Sequence, residues 1–169
     1  MILRKFHPKV MPKTNEEWQA FAQSLVDQFD DLTTKIPVGE SVLSAAYAIT
    51  ADTTWQDTGL SITLPAAGTY LIGGNVRGFG SVSATLNHIS TKLYNATDAA
   101  DITNSERDVI FASTTGASYI SNISYSMIVT VNASKIIKLY AYRAAATWTA
   151  SQISSDVSGR TNLTYVRIQ

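Results

Sequence analysis

Gly59-Leu60-Ser61-Ile62-Thr63-Leu64-Pro65-Ala66-Ala67-Gly68-Thr69-Tyr70-Leu71-Ile72 reads as strand, turn and strand. Leu60–Leu64 is rich in residues that favour a pleated backbone, and Pro65 to Gly68 supplies the turn. Thr69–Gly78 resumes the extended run, and Gly78 with Gly80 marks the next turn. The same punctuation repeats outward in both directions. It predicts strands at Val42–Thr50, Leu60–Leu64, Thr69–Gly78, Leu86–Tyr94, Arg107–Ala112, Ser121–Val131, Lys135–Arg143 and Arg160–Ile168. Eight strands spaced this way within residues 41–169 predict a mainly β sandwich or jelly roll.

Composition agrees. The chain has 169 residues, enough for one domain with a short appendage. It holds 18 Ser, 20 Thr and 20 Ala but only 4 Glu, which favours strands and turns over long helices. With 45% hydrophobic and 15% charged residues it is not of the disordered class. No apolar run approaches the roughly 20 residues of a membrane span, and no signal peptide is expected at the start. There is no cysteine, so disulfides, thiolate metal sites and thiol catalysis are excluded.

Two segments precede the β region. Residues 1–13 carry Arg4, Lys5, Lys9 and Lys13 and no acid, and Pro8 and Pro12 prevent a stable helix. They read as an extended arm that orders on a partner, with Arg4, Lys5, Phe6 and Lys9 as anchoring candidates. Residues 14–37 predict a helix. Thr14 and Glu17 form a capping box, and Pro37 with Gly39 stops it. Trp18, Leu25 and Leu32 are spaced by seven, as are Ala22, Phe29 and Ile36, offset by four. That is an a/d heptad stripe on a helix about 34 Å long at 1.5 Å per residue. So short a helix is marginal alone, so its stripe is expected to bury against other copies of itself, with packing on its own domain as the alternative.

The residues around the opening stretch carry a resemblance. Trp55 to Ile72, with its Pro65-x-x-Gly68-x-Tyr70 turn, resembles a passage common in phage virion proteins and is similar to the C1q/TNF-like trimeric jelly rolls. The late pair Ile136–Tyr140 and Thr161–Ile168 is similar to the closing strands of such domains. The resemblance covers about three quarters of the chain, roughly Leu43–Ile168. It implies a non-enzymatic virion protein, a homotrimer docked through its arm, with a β knob on the virion surface. Host-surface attachment is the first expectation. Capsid decoration or a head fibre is the alternative, because the stalk is one short helix. A glycan-acting β-fold enzyme is a second alternative.

Little else suggests chemistry. The histidines are His7 and His88, one in the arm and one in a strand, without a motif for nucleophilic catalysis. Asp98, Asp101, Glu106 and Asp108 cluster in and after one long loop, in a spacing that matches no calcium motif. No cofactor or metal is implied. Net charge is zero, and residues 41–169 hold seven acids against eight scattered bases, so neither nucleic acid nor membrane insertion is expected. In a jelly roll the first and last strands are antiparallel neighbours. Counting strands from the stalk therefore puts the loops holding Trp55, Phe79, Tyr119 and Trp148 at the far end. These four are the candidate ligand-binding residues, for a host glycan above all, with capping of the sandwich core as the alternative for Trp55 and Phe79; Trp148 leads because it lies in the long polar loop Ala144–Ser158.

Overall fold

The computed structural model describes residues 14–83, 87–144 and 147–169, and only the backbone of residues 28–35. Arg4, Lys5, Phe6 and Lys9 of the arm lie outside the described residues. Helix α1 spans Asn15–Lys35. The capping box is present: Thr14 Oγ1 accepts from the Glu17 amide, and Glu17 Oε2 accepts from the Thr14 amide, each at 3.2 Å. Ile36 is extended and closes the helix before Pro37.

Eleven strands follow among the described residues: β1 (Val38–Val42), β2 (Tyr47–Ala48), β3 (Gln56–Leu64), β4 (Gly68–Val82), β5 (Asn87–Asn95), β6 (Ala100–Asp101), β7 (Arg107–Ala112), β8 (Ser118–Val131), β9 (Lys135–Arg143), β10 (Trp148–Ser154) and β11 (Asn162–Arg167). They form two antiparallel sheets. In the first, β4 pairs with β8 along one side; along the other it pairs with β11 and then β10. Strand β1 lies outside β11, and β2 outside β10. The second sheet runs β3-β9-β5, with β6 and β7 both on the far side of β5. The sheets face each other over one apolar core that includes Leu60, Leu64, Ile72, Val76, Leu93, Ile137, Leu139 and Leu163. Burial of such side chains, at about 25 cal/mol per Å² of apolar surface, is what holds the layers together.

Strand β1 pairs with β11 antiparallel, Val38 opposite Val166, so the first and last strands are neighbours as expected. The turn at Pro65–Gly68 is also in place, and Tyr70 Oη donates to the Ala66 carbonyl at 2.9 Å, tying strand to turn. Three expectations need correction. The sandwich starts at Val38, not Ser41 or Val42, and the expected strand Val42–Thr50 is two short strands, because β1 leaves the sheet after Val42. Gly78 and Gly80 are not a turn; β4 runs through them to Val82. Their missing side chains make room instead. A Cβ on Gly78 would stand 2.6 Å from Val109 Cγ1, and one on Gly80 2.3 Å from Trp148 Cζ3. The stretch expected as one long loop, Ala144–Ser158, contains β10, which pairs with both β4 and β2.

Candidate interaction surfaces

The four aromatic candidates do not form one distal patch. Trp148 opens β10 and is 7% exposed, inside the core over Gly80. A ring held between sheets cannot meet a ligand, so its proposed role as the leading contact residue is withdrawn. Tyr119 is half-buried and packs against the core. Its hydroxyl accepts from the Thr114 amide at 2.7 Å and donates to the Thr114 carbonyl. Phe79 lies on the outer face of the first sheet, opposite Ile120 of β8. Trp55 lies across the molecule, on the outer face of the second sheet.

There Trp55 belongs to an array. Its ring is 5.1 Å from that of Tyr142, and Tyr142 stacks on His88 at 5.8 Å. Lys92 Nζ sits 4.5 Å from the Trp55 ring centroid, a cation–π contact. Beside them Tyr94 and Tyr140 stack at 4.6 Å. Lys138 is bonded to Asp57, which holds its ammonium above the usual lysine range, and Lys92 is paired with Asp101 at 2.7 Å. Neighbouring strands supply these residues: Lys92 lies opposite Tyr140, and Asp57 opposite Tyr140 on the other side. Charges and rings on this face are thus matched to one another.

The acidic loop is dispersed in the same way. Asp98 accepts from Lys135 and from Asn95, and the Lys135 hydrogen bond holds its carboxyl below the ordinary carboxylate range. Asp101 faces Lys92, and Asp108 accepts from Ser90 Oγ at 2.6 Å. Among the described residues no group of three or more acids and histidines could hold a metal ion. The open cleft of about 420 Å³ beside this loop, lined by Asn95, Asp98, Ile102, Val129 and Lys135, has its charges paired within its own wall.

The oligomerisation candidates are placed only in part. Trp18 and Ala22 are exposed, Phe21 and Leu25 are half-buried, and Trp18 meets Phe21 edge-on at 5.8 Å. The side chains of Phe29 and Leu32 lie outside the described residues; Ile36, just past the helix, is exposed. No described helix is long and apolar enough to cross a membrane.

The outer face of the first sheet has a character that no sequence motif announced. Val38, Val166, Leu71 and Ile128 stand opposite one another on β1, β11, β4 and β8, a single row across four strands. They are 65%, 39%, 39% and 67% exposed. Phe79 and Ile120 form a second apolar pair farther along the same face. Between these lie Gly73, Asn75, Arg77, Asn122, Ser124, Ser126 and Thr164.

No family model matches this chain, and no curated protein does. Solved structures do. The chain is similar in fold to the VP2 protein of infectious bursal disease virus in derived T=1 particles, at a TM-score of 0.52 and 13% identity. A second structure of the T=1 particles gives the same values, and the structure of the Gx strain of that virus gives 0.51 and 13%. Each match covers 79% of this chain and 32–33% of the neighbour, so the chain spans about a third of the length of the proteins it resembles. The likeness establishes the β-sandwich fold.

Proposed function

We propose that this chain is a non-enzymatic structural protein of a phage particle, a homotrimer that docks by residues 1–13 and carries its sandwich on the virion surface. The observation that carries the virion reading is the sandwich fold, shared with VP2 in virus-derived particles. The trimer reading is supported by α1, whose Trp18, Ala22 and Val26 lie exposed on a helix too short to persist alone. The C1q/TNF-like form of the jelly roll belongs to the same proposal, supported by the Tyr70-closed turn and the β1–β11 pairing.

Of the two virion roles, decoration of the shell gains over host attachment. Attachment rested on free aromatic faces at the far end. Trp148 is buried, the Tyr119 hydroxyl is engaged, and the Trp55 ring is held by Tyr142 and Lys92. Attachment through a host glycan remains the second reading, with the Trp55–Tyr142–His88 array as its surface.

Purified particles decide the matter. The protein should band with intact particles in a copy number divisible by three, and deletion of residues 1–13 should leave a folded protein that no longer joins them. Recovery of the protein solely in the soluble fraction of infected cells would sink the virion reading. Purified protein that blocks adsorption of the phage to host cells would restore attachment.

A further inference from the structure

We infer that the outer face of the first sheet, centred on the row Val38–Val166–Leu71–Ile128, is covered by a second copy of the same chain. The inference rests on the self-association reading above and assigns a β surface to it. The four residues project from adjacent strands at matched register, so their exposed surfaces merge into one apolar band. A band of this kind in water is an interaction surface rather than scattered exposure.

The occupant follows from charge, area and position. Among the described outward residues of β1, β4, β8 and β11, the charged ones are Glu40 and Arg77. Glu40 accepts from Asn162 Nδ2 at 2.8 Å, and Arg77 is paired with Asp156 at 2.6 Å. The remaining polar residues are Ser, Thr and Asn, some of them already bonded to each other, as Ser124 is to Asn75. Identical surfaces that meet about a symmetry axis bring like groups together, so a face whose one carboxylate without a cationic partner, Glu40, lies on the outermost strand β1 suits a copy of itself. The opposite sheet, with Lys92, Lys138, Asp57 and Asp101 on its outer face, shows what the solvent side looks like. Strands β1, β4, β8 and β11 hold 5, 15, 14 and 6 residues. At about 4.8 Å between strands and 3.4 Å per residue, their face spans on the order of 650 Å². That approaches the roughly 800 Å² per partner of a standard interface. Position completes the argument: Val38 is three residues past the end of α1, with exposed Ile36 between, so the helix stripe leads into the row. Strand β8 adds to it. It runs 14 residues as an edge with no charge, proline or bulge against β4, lacking the devices that keep edges from pairing.

The test uses the full chain, which contains no cysteine. Ile128→Cys provides one thiol on the face, and Thr63→Cys one on the opposite sheet. In the wild-type assembly the thiol at 128 should react with a maleimide at least tenfold more slowly than the thiol at 63. Ile128→Lys should raise the concentration at which chains associate by tenfold or more, with an unchanged circular dichroism spectrum, and Thr63→Lys should not. Equal thiol rates within an assembly that light scattering shows to be trimeric would overturn this inference and leave the helix reading standing. A wild-type chain that is monomeric at all concentrations would overturn both.

Discussion

A Cβ added to Gly80 would stand 2.3 Å from Cζ3 of Trp148, so the ring occupies the space the glycine leaves in β4. The two residues are 68 apart in sequence and belong to paired strands. Trp148→Ala should therefore cost about 3–5 kcal/mol, the usual range for emptying an aromatic from a core. Gly80→Ala should cost about 1–3 kcal/mol by overpacking. Urea denaturation of the two variants checks both numbers; a Trp148→Ala protein as stable as wild type would return that residue to the surface.

The core contains one polar pair with a pH signature. Tyr125 Oη and Thr91 Oγ1 lie 2.8 Å apart, and burial pushes the Tyr125 phenol up to about 12. Below pH 10 folded and unfolded chains both keep that proton, and its share of stability is complete. Between pH 10 and 12 the unfolded chain releases it while the folded chain holds it, so stability falls as pH rises, by about 2–3 kcal/mol for this group. Tyr125→Phe should show a shallower alkaline loss. Identical stability curves for variant and wild type from pH 9 to 12 would refute the assignment.

Self-association through α1 predicts the behaviour of Leu25→Asp. A carboxylate in an apolar seam costs several kcal/mol unless paired. Light scattering should show a shift from three chains toward one, while the sandwich keeps its melting transition. Retention of the wild-type mass would exclude the helix as a contact.

Calcium should do nothing. The carboxylates of Asp98, Asp101 and Asp108 each already accept from a neighbour, Lys135, Lys92 and Ser90 in turn. A ligand that binds only the folded state raises its melting temperature. Millimolar calcium that leaves the transition in place agrees with this account; a dose-dependent rise contradicts it.

Local chemistry was enough to read much of the fold. The capping box at Thr14 and Glu17, the stop at Pro37 and the turn at Pro65–Gly68 depend on neighbours in the chain, and all are present. Runs of β-branched and aromatic residues separated by turn residues marked most strands, because a pleated backbone favours those side chains wherever they are. Strand β10 escaped for a physical reason. Its residue Ser151 turns inward, where Oγ donates to the Ile49 carbonyl, 102 residues away, at 2.9 Å and accepts from Arg143. The sequence around Trp148 looked polar and loose; distant acceptors make it core.

The sequence by itself therefore determined the element types, helix α1 with its apolar stripe and the β character of the described residues after it, all set by interactions within a few residues. Tertiary structure decided which aromatics meet solvent and which glycines are turns. Gly78 and Gly80 look like punctuation in the chain but serve as space for Val109 and Trp148. Register alone aligned Val38, Val166, Leu71 and Ile128 into one row. These four are scattered over 129 residues, and no local pattern links them; hydrogen-bonded pairing between strands does, because it places opposite residues on the same side of a sheet.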